Sequence, residues 1–314
     1  MYAYVIRRSL ATIPIMGLVA VFVFLLLHLS PGDPAVIIAG DFATAAQIED
    51  IRRQLGLDDP LYVQFGTWLY NLLFQGDMGR SIYSGLPVTR LIGQRIEPTL
   101  MLTLVTMLIA VVFAIPLGVI AAWKVGTWID RFVMTFAVLG FSVPVFVLGY
   151  VLIYGGSMTL GWFPVQGYRS ILVDPHGFLL HITLPAITLG VVYMALIARM
   201  TRATMLEVLN EDYIRTAYAK GVATRKVLLK HALKNAMVPI VTTIGLGVAL
   251  LIGGVVVTES VFAIPGLGRL TVDAVLRTDY PVIQGVILVF SLAYVLLNLL
   301  VDLSYVLFDP RIRY

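Results

Sequence analysis

Histidines, carboxylates and lysines are the residues of this chain that could do chemistry, and their spacing argues against catalysis. His176 and His181 stand five apart, a poor arrangement for sharing a metal ion, and His28 and His181 fall at the ends of apolar runs. Zero cysteines exclude thiolate metal sites and disulfides. A phosphate-binding loop needs Gly-x4-Gly-Lys-Ser/Thr, because its lysine reaches the phosphates. The five lysines here precede Val125, Gly221, Val227, His231 and Asn235, so none completes that motif. Gly266-Leu267-Gly268 only resembles a fragment of a nucleotide loop, since it falls in an external turn with no strand before it. No spacing supports a Ser-His-Asp set. The expected catalytic, metal and cofactor sites are therefore none.

One polar stretch remains unexplained. Asn210-Glu-Asp-Tyr-Ile-Arg-Thr-Ala-Tyr-Ala-Lys-Gly221 reads as a short helix planted between two long apolar runs. Asn210 is expected to be its N-cap, Glu211 and Asp212 complement its positive end, Lys220 the negative end, and Gly221 the stop. Tyr213, Ile214, Ala217 and Tyr218 form one narrow apolar-aromatic face. About ten residues cannot sustain a helix alone in water, so neighbours or a partner must hold it. A second helix then leads into the next apolar run, with Lys226, Lys230 and Lys234 in a basic stripe suited to lipid headgroups rather than nucleic acid.

The elements that position this helix are membrane spans. The chain of 314 residues is 59% hydrophobic and 13% charged, with a mean hydropathy of +0.93, against about 25% charged for soluble domains. Runs near 9–29, 98–122, 132–155, 179–198, 236–258 and 281–307 are each long enough to cross the hydrocarbon. The first has no small-x-small cleavage site after it and reads as a retained span. With a cytoplasmic N-terminus, 14 of the 22 lysines and arginines lie inside, among them Arg7, Arg8, Lys124, Arg131, Arg199, Arg202, Arg311 and Arg313. The short external connections are nearly free of them. The expectation is an all-α polytopic membrane protein with six transmembrane helices and both termini cytoplasmic.

Three divisions follow: 1–29, the N-terminus and first span; 30–97, an external helical segment; and 98–314, a five-helix core carrying a cytoplasmic segment, 199–235. Within 30–97, Thr44–Leu55 is expected to be a helix with Gln47 completing a capping box, Leu61–Phe74 an aromatic amphipathic stretch, and Pro87–Arg95 a third helix. This segment either shields the span ends or meets a ligand. In the fifth span, Gly245, Gly247, Gly253 and Gly254 serve close helix packing or line a passage. Pro116, Pro144 and Pro185 lie within apolar runs and can kink them. Ion-coupled carriers need an ionisable group in mid-membrane; only Asp302 and Glu259 come near one, and no proton relay is visible. An ion-coupled secondary carrier thus remains a remote alternative.

Arg215-Thr-Ala-Tyr-Ala-Lys-Gly221, followed by His231-Ala-Leu-Lys-Asn-Ala236 and Pro239, resembles the cytoplasmic docking loop of ABC-importer permeases, in the form of the dipeptide/oligopeptide family. The wider pattern begins Glu-Ala-Ala; here Arg215-Thr216-Ala217 stands in its place, and the later Ile-x-Leu-Pro falls on His231-Ala-Leu-Lys234, without its proline. Pro31-Gly-Asp-Pro34, Leu55-Gly-Leu-Asp58, Gly76-Asp77, Arg199-Met-Thr-Arg-Ala203, Glu259-x-Val-Phe262, Pro265-Gly-Leu-Gly-Arg269, Asp279-Tyr-Pro-Val282 and Asp309-Pro-Arg-Ile-Arg-Tyr314 extend the similarity over nearly the whole chain.

The resemblance implies a type I ABC-importer permease fold in the bacterial or archaeal inner membrane. Its partners would be a second homologous permease, two cytoplasmic ATPases holding ATP and Mg, and an extracytoplasmic substrate-binding protein, with no nucleic acid. Glu211, Asp212, Tyr213, Arg215, Thr216, Ala217, Lys220 and Gly221 would dock an ATPase. The implied cargo is di- or oligopeptides, with glutathione, a nickel chelate or another small solute as the alternative.

Overall fold

The computed structural model describes residues 2–29, 35–36, 43–54 and 56–308. The motif Pro31–Pro34, Leu55, the terminal Asp309–Tyr314 with Arg311 and Arg313, and the side chains of Arg7 and His28 lie outside what is described. Among the described residues every named element is helical. In chain order these are α1 (Tyr2–Leu29), α2 (Ala45–Gln54), α3 (Leu61–Tyr70), α4 (Val88–Trp123), α5 (Trp128–Ser142), α6 (Val145–Leu152), α7 (Pro175–Leu209), α8 (Asp212–Ala219), a lead-in of Thr224–Lys226 and Val227–Ala232, α9 (Leu233–Val261), α10 (Leu267–Leu276) and α11 (Tyr280–Phe308).

Five helices are long and apolar enough to cross a membrane, and α5 with the run Val145–Thr159 makes a sixth as a bent pair. That pair replaces the kinked single span expected over 132–155. It turns by 103°. Val143 is extended (φ −83°, ψ 124°), because the ring of Pro144 disfavours helical backbone in the residue before it, and proline has no N–H to continue the ladder. Pro116 and Pro185 remain inside continuous helices. The separate helix expected at Pro87–Arg95 is instead the first part of α4, which runs on through Pro98. Likewise α7 continues well past the expected span end at 198, reaching Leu209 over 35 residues, or about 52 Å at 1.5 Å per residue.

The chain divides into two compact units. The larger comprises residues 1–5, 97–269 and 296–314. Here α7 is the central helix, packed by α5, α6 and α9, around a core that includes Leu102, Ile182, Leu189, Ile197, Met205, Ile240 and Leu251. Gly118 sets the closest approach of α4 to α7. A β-carbon there would fall 2.5 Å from Cβ of Thr201 and 2.7 Å from the Ala198 carbonyl oxygen, so no larger residue fits without separating the helices.

The smaller unit comprises residues 6–96 and 270–295. The capping box of α2 forms as expected: Thr44 N–H donates to Gln47 Oε1 at 2.8 Å, and Gln47 N–H to Thr44 Oγ1 at 3.4 Å. The aromatic stretch Leu61–Phe74 forms α3 and a following π-turn, with Phe65 and Trp68 against Phe24 of α1. Gly285 of α11 lies under Val88 of α4, where a β-carbon would come within 2.5 Å of Val88 Cγ1.

Candidate docking site

The polar stretch after the fourth span forms α8, and its ends are held by the backbone. At its C-terminus Gly221 N–H donates to the Tyr218 carbonyl at 2.9 Å and Val222 N–H to the Ala217 carbonyl at 3.2 Å. This is the paired bond pattern of a Schellman stop, which requires a left-handed residue at the position after the cap. Gly221 supplies it with φ +75°. The N-terminus departs from expectation. Glu211 occupies the N-cap position and makes no side-chain cap bond. Asn210 ends α7 instead, its Nδ2 donating to the Leu206 carbonyl at 2.9 Å. The preceding helix runs up to Leu209, so the amide finds an unsatisfied C-terminal carbonyl within reach before it can serve the next helix.

The apolar stripe turns inward at its centre. Ile214 and Ala217 are 1% and 9% exposed and belong to the core that holds Met205, Val227, Leu228 and Ala232. Tyr213 and Tyr218 flank that stripe, each half-exposed. Glu211, Asp212, Arg215, Thr216, Lys220 and Gly221 face solvent. Of the eight docking residues expected from the sequence, Ala217 alone is buried; the other seven share the outer surface. Arg215 pairs with Asp212 at 3.3 Å, a fully exposed contact contributing well under about 1 kcal/mol.

Two further contacts brace α8 and the helix that precedes it, and neither was singled out for that purpose from the sequence. Asn235 Nδ2 donates to Tyr213 Oη at 2.8 Å and to the His231 carbonyl at 2.9 Å, tying α8 to the first turn of α9. Asp130 of α5 receives both Nε and Nη2 of Arg202 of α7, at 2.5 and 2.8 Å, and the Gly126 N–H at 3.0 Å. A two-pronged guanidinium–carboxylate pair fixes orientation as well as distance. The signal available in the sequence was a carboxylate opening one span and an arginine near the end of the next. Between α8 and α9 the chain passes through Thr224–Lys226 and a π-helical turn, Val227–Ala232.

The glycines of α9 behave differently from one another. At Gly245 a β-carbon would meet Val301 Cγ2 at 2.4 Å, at Gly247 Met107 at 3.0 Å, and at Gly254 Leu189 at 3.3 Å; Gly253 has nothing within 4 Å. Gly245, Gly247 and Gly254 are therefore packing positions. Glu259, at the end of the same helix, is fully buried and braces the following loop. It accepts from Thr99 Oγ1 at 2.5 Å and from Arg269 N–H at 2.9 Å, while Leu267 N–H donates to Thr99 Oγ1 at 2.8 Å. Gly266 is required there, since a β-carbon would overlap the Glu259 carboxylate. His181 Nδ1 lies 2.7 Å from the Gly177 carbonyl of its own helix. Glu97 of α4 accepts from Tyr168 Oη and Ser170 Oγ in the loop before α7; burial first, and that carboxylate second, push the Tyr168 phenol well above its ordinary range.

A bundle of membrane-crossing helices that presents one short, braced, polar helix to solvent defines a polytopic membrane protein with an exposed docking surface. Comparison with known proteins makes the class specific. A profile described as "binding-protein-dependent transport system inner membrane component" matches residues 114–314, and its N-terminal companion matches residues 1–103. A protein of Sinorhizobium fredii named as a probable peptide ABC transporter permease is 52% identical over 314 residues, covering all of both chains. The glutathione transport system permease of Escherichia coli K12 is 50% identical over the same full length. Among solved structures, the inward-facing MetNI methionine ABC transporter matches with a TM-score of 0.59 at 20% identity, over 70% of this chain and 97% of that one. The chain belongs to the family of binding-protein-dependent transport system inner-membrane components. It is a multi-pass permease subunit of an ABC importer, with the type I permease fold, and not itself an enzyme.

Proposed function

We propose that this permease imports di- or oligopeptides, pairs with a second homologous permease to enclose the pathway, and takes its energy from ATPase subunits that dock on α8. The observation that carries the docking assignment is the two-sided character of α8: Ile214 and Ala217 anchor it in the chain's own core, while Asp212, Arg215, Thr216 and Lys220 are left for a partner. A helix so short is pre-ordered only because the chain holds it, and pre-ordering reduces the entropy lost on association. Both termini and α8 lie in the cytoplasm by the distribution of lysine and arginine, so the segment 259–280 is external.

The division of labour follows. ATP and Mg bind the partner ATPases and this chain binds neither. Closure of the ATPases draws the docking helices together, and α7 and α9, which flank α8 in sequence, carry the movement into the spans. An extracytoplasmic binding protein delivers cargo to the opened side. The full-length similarity to a peptide permease supports peptide cargo, and the equally complete similarity to a glutathione permease supports glutathione as the second reading. The test is reconstitution of the whole assembly in proteoliposomes with labelled dipeptides and labelled glutathione. ATP-dependent, binding-protein-dependent uptake of dipeptide is expected. Uptake by this chain alone on an ion gradient would overturn the reading.

A further inference from the structure

The smaller unit carries a polar cavity that the import machinery described above does not use. Its back wall is a tight turn. Ser81 N–H donates to the Leu86 carbonyl, Gly85 N–H to the Ser81 carbonyl, and Ser84 N–H to Ser81 Oγ. The buried carboxylate of Asp279 pins this turn to the start of α11, accepting from Ser81 Oγ at 2.5 Å and Ile82 N–H at 3.1 Å. Asp279 is thereby spent on structure. The opposite wall is α10 and the residue that follows it, which bring Asp273 and Arg277 to the same cavity of about 190 Å³.

These two charges are one helical turn apart, yet they do not pair. Among the described residues the Asp273 carboxylate has neither hydrogen bond nor ion pair. The Arg277 guanidinium is stacked on the Tyr83 ring at 3.9 Å, and its N–H groups have no acceptor among the described residues. Stacking fixes a guanidinium in place without consuming its in-plane donors. Side chains four apart on a helix are separated by roughly 5–6 Å at their β-carbons, a spacing that an ammonium and a carboxylate of one small molecule can bridge. Sites for drug-sized ligands run to about 300–1,000 Å³, so this cavity accommodates an amino acid or a dipeptide rather than a longer chain.

We propose that this cavity binds a free amino acid or a dipeptide by its two charged termini, with Arg277 taking the carboxylate and Asp273 the ammonium. It is a shallow receiving site on the external face and rests on the peptide-import reading above. The wall residue Ser84 gives a probe, because the chain has no cysteine of its own. In the reconstituted assembly without binding protein, Ser84→Cys is modified with a thiol reagent and the labelled peptide of this chain is quantified by mass. A free dipeptide at millimolar concentration is expected to slow modification severalfold. The same dipeptide acetylated and amidated at its ends is not, and Asp273→Asn or Arg277→Gln removes the protection.

The proposal is overturned by equal protection from the blocked dipeptide, or by no protection from a dipeptide that the assembly imports. It is equally overturned if protection comes only from added binding protein, which would make the cavity a protein contact. ATP-driven uptake measured on the same preparation separates the two claims. Uptake without protection removes the site alone, whereas protection without any uptake removes the import reading and leaves the site.

Discussion

Gly221 offers a graded test of the docking element, because its constraint is purely conformational. A β-carbon there would meet nothing within 4 Å, but φ is +75°. Gly221→Asn should be tolerated within a few tenths of a kcal/mol, since asparagine enters the left-handed region readily. Gly221→Ala carries the ordinary left-handed penalty of about 1–2 kcal/mol, roughly a 5- to 30-fold shift toward a frayed helix end. Gly221→Pro cannot adopt the angle and also loses the N–H that reaches the Tyr218 carbonyl, so it should cost about 3 kcal/mol or more. The assay is the number of substrate molecules imported per ATP hydrolysed by the reconstituted assembly, at matched amounts of inserted protein. Coupling should fall in the order Asn, Ala, Pro, with hydrolysis surviving better than uptake. Wild-type coupling for all three would refute the assignment of α8; an asparagine variant as damaged as the proline variant would refute the backbone argument.

Ala217→Asp should act on folding rather than docking: it places an unpaired carboxylate in a buried position, and the melting temperature of the purified permease should drop, whereas Arg215→Ala and Lys220→Ala keep it and weaken ATPase capture in a pull-down. Arg202→Ala leaves the buried Asp130 carboxylate without its partner and should destabilise by about 3–5 kcal/mol; pairing it with Asp130→Ala should recover part of that loss in denaturation, and a double variant no better than Arg202→Ala would exclude the pair as the cause. Gly245→Val must displace Val301 and should reduce thermal stability, while Gly253→Ala, which meets nothing among the described residues, should not; a stability loss at Gly253 alone would reverse the packing assignment. Asn235→Ala removes the bond to Tyr213 Oη and should reduce uptake per ATP while leaving ATPase capture intact, since Asn235 itself is not on α8.

The number of spans, the short polar helix between the fourth and fifth, the stop at Gly221 and the capping box at Thr44 were all legible in the residues, because each depends on interactions only a few positions apart. Apolar length, lysine placement, a left-handed glycine and a threonine–glutamine reciprocity act locally and leave a local trace. What required the folded chain was every choice between equivalent local options. Asn210 could cap either neighbouring helix, and the length of the preceding one decided. Ala217 stood both on the apolar face and among the expected docking residues, and only burial in the core with Met205, Val227 and Leu228 turned it inward. Pro144 bends its span by 103° where Pro116 and Pro185 interrupt nothing, although all three looked alike in the linear order. The bonds from Asp130 to Arg202 and from Thr99 to Glu259 join residues 72 and 160 positions apart; no periodicity connects such partners, because it is the burial of both together that makes the bond form.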